Sequence, residues 1–343
     1  MNTIIQFEEK LVSVLNNYPK DSLLLAAVSG GADSMAMLAA LCAVSPRECL
    51  VCMHVEHGLR PAEESLGDAG FVRDFCSANN IEYRVKHFPP GKIAAFAQRK
   101  GIGIEAAARF YRHKALRKEA RHLGKNVLIL MAHTKDDLLE TALMRVLRGS
   151  GPAGLAAIPE KRGRILRPLL GAAREDVICY LKAKNLSWRE DSTNIDEKFL
   201  RNRIRRQLIP LLNDAFPSWK TNLHALAQTQ SLTAEFISNE TNKHIKWIEK
   251  ESSLLTNETI FFAQSQIIRE EAVFIGINAL CDSVPSCESP SKSIRRSVVR
   301  RFCEGSVNAA DLGPVKIRRE KGNITLSGVK KDFFECGISR LLK

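Results

Sequence analysis

The stretch LLAAVSGGADSMAMLAAL, residues 24–41, constrains this chain most. It runs from an apolar strand through two glycines into a helix, and it carries no lysine. Ser29, Gly30, Gly31, Ala32, Asp33 and Ser34 form the turn. The glycines let the backbone bend tightly and aim successive N–H groups at an anion. The helix beginning near Asp33 adds its positive dipole end, and a serine hydroxyl can donate as well. Such a turn cradles nucleotide phosphates. A GxxxxGK[ST] loop reaches the terminal phosphates with a lysine, which this turn does not have. Asp33 reads as a metal contact, because a bare carboxylate facing phosphates would be repelled. An ordinary strand-to-helix turn is the competing reading.

Residues 21–28 (DSLLLAAV), 48–55 (ECLVCMHV), 81–88 (IEYRVKHF) and 126–132 (NVLILMA) read as short, mostly apolar strands separated by segments of helical period. That alternation predicts an α/β fold with a doubly wound parallel sheet, whose ligands sit beyond the carboxyl ends of the strands. After residue 150 come a loop, a short strand and a helix over 174–186. From about residue 222 the period is helical, and VKIRREKGNITLSG predicts a hairpin turning at Lys321, Gly322 and Asn323. The expected organisation is a catalytic domain over 1–216, a boundary at Phe216–Pro217, and a smaller, mostly helical α+β domain over 217–343. The Ser- and Pro-rich segment 282–293 is expected to be a loop of the second domain.

Composition decides the class of partner. The 343 residues carry a formal charge of +13, which favours a polyanion such as nucleic acid over the alternative of a membrane surface. No apolar run approaches the ~20 residues of a spanning helix, and the N-terminus lacks signal-peptide character, so a cytoplasmic location is expected. Nine dispersed cysteines fit reduced, packed thiols. Two motifs mislead. GIGIEA at 101–106 lacks a preceding strand and is rejected as a dinucleotide fingerprint. Cys49 and Cys52, followed by His54 and Glu56, suggest a zinc deaminase, but an offset of three on a strand points the two thiols to opposite faces.

The run AHTKDDLLETALMRVLRGSG (132–151) follows the fourth strand. On a helix from Thr134, the residues Asp137, Glu140, Thr141, Met144, Arg145 and Arg148 share a stripe, with His133 just before it. The competing reading is a Thr134–Asp137 capping box with Glu140 solvated. Carboxylates beside cations suit a site that holds or deprotonates an amine near an activated phosphate. RNA contacts are expected from Arg148 and from FLRNRIRR, with Arg201, Arg203, Arg205 and Arg206, and KSIRRSVVRR repeats that pattern. A basic face serving only solubility is the competitor.

Taken with HVEHGLR (54–60), EAAARFYR (105–112), RPLL (167–170) and WREDSTNIDEKFLRNRIR (188–205), these motifs resemble the N-type ATP pyrophosphatases of the PP-loop superfamily, and within them the tRNA(Ile)-lysidine synthases. The resemblance implies an adenine nucleotide alpha hydrolase-like fold, ATP and Mg²⁺ as cofactors, and tRNA(Ile) with a CAU anticodon and free L-lysine as partners. A homodimer is compatible with it. The implied reaction adenylates O2 of the wobble cytidine, and the ε-amine of lysine then displaces AMP at C2. On this resemblance Arg109 and Arg112 stabilise the phosphates and the intermediate. Asp137 and Glu140 receive the ammonium, and His133 is a proton carrier. It also puts the acceptor side of the tRNA on the C-terminal domain. The chain departs from the family pattern at Glu56, Thr134, Leu138 and His113. Two other functions compete: tRNA sulfuration by a related enzyme, and nucleotide-sensing RNA binding without catalysis.

Overall fold

The computed structural model describes residues 2–59, 62–189, 200–250, 253–282, 294–313 and 315–328. The chain divides into two compact units, residues 1–230 and 231–343. Unit 1 runs α1 (Asn2–Leu15), β1 (Leu23–Ala27), α2 (Ala32–Val44), β2 (Leu50–Glu56), α3 (Ala62–Ala78), β3 (Glu82–His87), α4 (Lys92–Lys100), α5 (Ile104–Leu123), β4 (Val127–Met131) and α6 (Lys135–Leu147). It continues through α7 (Pro152–Leu155), β5 (Lys161–Arg162), β6 (Ile165–Leu166), α8 (Arg174–Ala183), α9 (Leu200–Arg203) and α10 (Ile209–Ala215) into α11 (Trp219–His244).

The sheet has the order β3-β2-β1-β4-β6-β5, parallel except where β5 meets β6. Alternate residues of its inner strands enter two separate cores. Leu24, Ala26, Leu50, Cys52, Leu130 and Leu166 pack with α1, α2 and α8. Leu25, Val51, Met53, Ile129, Met131 and Ile165 pack with α4 and α5. The sheet is therefore covered on both faces, as its apolar strands require. β3 departs from the expected apolar strand. It lies at the sheet edge, and Glu82, Val85, Lys86 and His87 are exposed.

Leu138, Leu139 and Ala142 of α6 pack with Leu170, Trp219 and Ala227 in a further cluster. The first turns of α11 thus belong to unit 1, and the division falls beyond the Phe216–Pro217 boundary expected from sequence. Unit 2 contains β7 (Ile248–Lys250), β8 (Ser253–Asn257), α12 (Glu258–Phe262), α13 (Gln266–Asp282), α14 (Arg296–Cys303), β9 (Ala309–Asp311), β10 (Val315–Glu320) and β11 (Asn323–Gly328). Its antiparallel sheet, ordered β7-β8-β11-β10-β9, shares a core with α13 and α14 through Ile277, Val299, Phe302, Ile317 and Leu326. The hairpin turn is Lys321-Gly322, with φ 51° and 76°, and Asn323 already pairs with Glu320. Positive φ at both central residues matches the twist of the strands. Of the segment 282–293, residues 283–293 lie outside the described residues, as do 190–199.

Candidate active site

The glycine turn joins β1 to α2 at the carboxyl end of the sheet. Gly30 has φ +94°, which an L side chain rarely adopts. Two serines knit the turn: the Ser29 N–H donates to Ser34 Oγ at 3.2 Å, and Ser34 Oγ donates to the Gly31 carbonyl at 2.9 Å. The Gly30 carbonyl accepts from the Arg189 N–H at 2.9 Å, and Arg189 Nε donates to the buried Asp68 at 2.9 Å. Below the turn, His54 Nδ1 donates to the Val28 carbonyl at 2.9 Å. Burial lowers the pKa of His54, so it holds the strand end as a neutral imidazole.

Asp33 stands in the first turn of α2. Its Oδ2 meets Arg174 Nη1 at 3.2 Å, while its Oδ1 is buried with no hydrogen-bond partner among the described residues. Burial raises its pKa against the pull of Arg174, and Asp137, Arg205 and Asp136 also act on it. The turn and the start of α6 therefore share one electrostatic site. Arg174 links them by backbone as well, its N–H donating to Asp136 at 2.8 Å.

At α6 the two sequence readings merge. Asp137 Oδ2 accepts from the Thr134 N–H at 2.9 Å, so it caps the helix. Its Oδ1 accepts from Arg201 Nη2 at 2.6 Å. Glu140 is not a solvated residue: its side chain is 4% exposed, and it accepts from Arg201 Nε at 2.6 Å and from Arg205 Nε. The expected basic cluster thus separates into two pairs. Arg201 and Arg205 are tied to the carboxylates of α6, and the side chains of Arg203 and Arg206 are exposed, as that of Arg205 is in part. Arg148 is exposed beyond the end of α6, and Arg145 turns away to the Gly154 and Ala157 carbonyls.

Arg109 and Arg112 are half-buried on α5. With burial they hold two imidazoles neutral. His113 is lowered to about 2 by desolvation and by Arg109 and Arg112. His133 is lowered to about 3 by desolvation, with Asp137 opposing and Arg109, Arg167 and Arg112 reinforcing. The sequence reading gave no role to Asp68, Arg167, Arg174 or Arg189. Arg167 and Arg189 do lie in the motif runs RPLL and WREDS, but Arg174 has no local signal, because α8 brings it to the turn from the far end of the unit. As for the suspected zinc ligands, Cys49 ends a short 3₁₀ turn before β2 and Cys52 is buried on it. Among the described residues no three His, Cys, Asp or Glu side chains gather as a metal cage.

Residues 3–212 match the family described as the PP-loop domain. This chain belongs to the PP-loop family. It is similar to the tRNA(Ile)-lysidine synthase of Treponema denticola, at 39% identity over 243 residues, covering 70% of this chain and 52% of that protein. It is also similar to the tRNA(Ile)-lysidine synthase of Bacteroides thetaiotaomicron, at 36% identity, covering 76% of this chain and 55% of that one. The chain thus spans about half the length of these curated relatives. The fold matches the U34-tRNA thiolase NcsA from Methanococcus maripaludis with its [4Fe-4S] cluster, with TM-score 0.54 and 17% identity, covering 66% of this chain and 79% of that one. No helix among the described residues is long and apolar enough to cross a membrane.

Proposed function

We propose that this chain is a ligase that adenylates O2 of the wobble cytidine of a tRNA(Ile) with a CAU anticodon. It then joins free L-lysine to C2 through the ε-amine, releasing pyrophosphate in the first step and AMP in the second. One observation carries the reading: Arg174 bridges the glycine turn and the start of α6, its Nη1 3.2 Å from Asp33 Oδ2 and its N–H donating to Asp136 at 2.8 Å. The phosphate cradle and the carboxylates thus form one site, as a reaction joining an amine to a phosphate-activated base requires.

The turn at Ser29–Ser34 holds the departing pyrophosphate through backbone N–H groups and the α2 dipole. Attack on the α-phosphate needs no lysine on the terminal phosphates. The unpartnered Oδ1 of Asp33 fits Mg²⁺, which takes one or two carboxylates and completes its shell with phosphate oxygens and water. Bound there, the ion would neutralise phosphate charge. Arg109 and Arg112 face the phosphate of the adenylated base. Asp137 and Glu140 already accept charged N–H donors from Arg201 and Arg205, and an ammonium is a donor of the same kind. The amine must lose a proton before it attacks, and a carboxylate of the Asp137–Glu140 pair can take it; His133, which burial and the nearby arginines hold neutral, resists that proton and is the weaker carrier. Arg148, Arg203 and Arg206 would contact RNA phosphates, with unit 2 on the acceptor side of the tRNA.

The test is incubation with ATP, radiolabelled lysine and unmodified tRNA bearing a CAU anticodon. Label in the nucleoside digest, with AMP and pyrophosphate formed only when tRNA is present, is expected. Release of ADP and orthophosphate, or RNA without label, would overturn the reading.

A further inference from the structure

The glycine turn is tied back at three of its carbonyls. That of Val28 accepts from His54 Nδ1, that of Gly30 from the Arg189 N–H, and that of Gly31 from Ser34 Oγ, each at 2.9 Å. A carbonyl and the N–H that follows it lie on opposite sides of one trans peptide plane, so each of these bonds aims an N–H the other way. The Gly30 carbonyl thereby sets the Gly31 N–H, which lies 3.4 Å from Ser29 Oγ, a long contact that an anion can replace. With glycine on both sides, this peptide turns over at little cost. Turned over, it would present a carbonyl to the anion.

What holds it comes from two distant segments. Trp188 packs on the core that α1, α2 and α8 share, and Arg189 beside it lies across the turn, where a Cβ on Gly30 would stand 3.7 Å from Arg189 Cγ. The guanidinium continues to α3, and its Nε donates to Asp68 Oδ1 at 2.9 Å. Gly67 leaves room for it, since a Cβ there would stand 3.2 Å from Arg189 Nη2. Asp68 is 6% exposed, and its charge also acts on His54, the imidazole that holds the Val28 carbonyl. One buried carboxylate therefore stands behind two of the three anchors. Its charge opposes an anion in the turn, so what it lends the turn is geometry.

We propose that Asp68 and Arg189 are positioning residues of the phosphate cradle: Asp68 holds the Arg189 guanidinium across the turn, and the Arg189 N–H thereby locks the Gly30–Gly31 peptide with its own N–H toward the anion. Neither side chain touches the phosphates. This assignment rests on the reading above that the turn holds pyrophosphate.

Calorimetric titration with magnesium pyrophosphate tests it through the sign of one effect. Asp68→Asn removes a negative charge, which by electrostatics alone tightens an anion. The proposal expects the opposite, an affinity weaker by about tenfold, the worth of one hydrogen bond to a charged group. Arg189→Met keeps the backbone N–H and loses the guanidinium, and it should weaken pyrophosphate by a similar factor. The double variant should lose no more than either single one, because both act through one link. A pair that serves only stability would lower the urea midpoint and leave the affinity of the folded protein unchanged. Unchanged or tighter binding in Asp68→Asn would overturn the proposal, and so would additive losses in the double variant, which would mean that Arg189 contacts the phosphates itself. If the variants do not fold, wild-type protein with isotope-labelled glycine decides the matter: the Gly31 amide proton is expected to move downfield when pyrophosphate is added, and an unmoved resonance overturns the proposal. Pyrophosphate bound equally by wild type and both variants condemns the positioning role alone. Wild-type protein that binds no pyrophosphate condemns the reading of the turn.

Discussion

Arg201 lies across two carboxylates of α6, with Nε 2.6 Å from Glu140 Oε2 and Nη2 2.6 Å from Asp137 Oδ1. Glu140 is nearly inaccessible, so this is a charge-assisted contact in a poorly solvated place rather than a surface ion pair. A double-mutant cycle of Arg201→Ala and Glu140→Gln, read by urea denaturation, is expected to give a coupling energy of about 2 kcal/mol. Additive losses would mean that the pair contributes nothing beyond its separate contacts.

The same contact divides the basic cluster by function. Arg203 is exposed, whereas Arg201 is committed to the carboxylates. If tRNA is the partner, Arg203→Ala should weaken its binding and flatten the dependence of log K on log salt by about 0.7. Arg201→Ala should leave that slope unchanged. Filter binding across a salt series distinguishes the two.

Much of the site could be read from sequence because its chemistry is local. The turn needs a residue that tolerates positive φ at Gly30, and the apolar runs of β1, β2 and β4 leave a doubly covered sheet as their natural arrangement. What sequence could not give depends on contacts between distant segments. Nothing near Arg201 separates it from Arg203, because its partner lies 61 positions away, on α6. Arg167 is equally opaque, since an arginine before Pro-Leu-Leu reveals neither its burial nor its positive neighbours. β3 was legible as a strand, but its edge position follows from the strand order.

The buried imidazoles set a pH dependence. His113 and His133 titrate near 2 and 3 in the folded chain and near 6.5 when unfolded, so the unfolded state binds more protons between these values. Stability is thus fully present above pH 6.5 and declines as pH falls toward the folded values, by about 1 kcal/mol per unit for each histidine. Urea melts at pH 7, 6 and 5 should show His133→Asn and His113→Asn each flattening this slope relative to wild type. A slope unchanged in both variants would assign it to other groups.

Gly30 carries the conformational demand of the cradle. Its φ of +94° strains any residue with a Cβ, so Gly30→Ala should cost about 1–2 kcal/mol. Because the strain falls on the turn to which the proposed function assigns the phosphates, ATP affinity should drop further than stability does. Calorimetric titration with ATP, beside a urea melt, separates these effects.

Asp33 and Asp137 are electrostatically linked yet serve different steps in the proposed reaction. Asp33 keeps an unpartnered oxygen at the glycine turn, so on the proposed reaction Asp33→Asn should suppress formation of the adenylated base, measured as tRNA-dependent pyrophosphate release. Asp137 uses one oxygen to cap α6 and the other to hold a cationic donor. Asn keeps an acceptor for one of these contacts and loses the negative charge. Asp137→Asn should therefore fold, release pyrophosphate at near the wild-type rate in a single turnover, and fail to transfer labelled lysine. Rapid-quench measurement of both products resolves the steps. Equal loss of both in Asp137→Asn would mean that the carboxylate acts before the amine arrives, and the division of labour between α2 and α6 would be wrong.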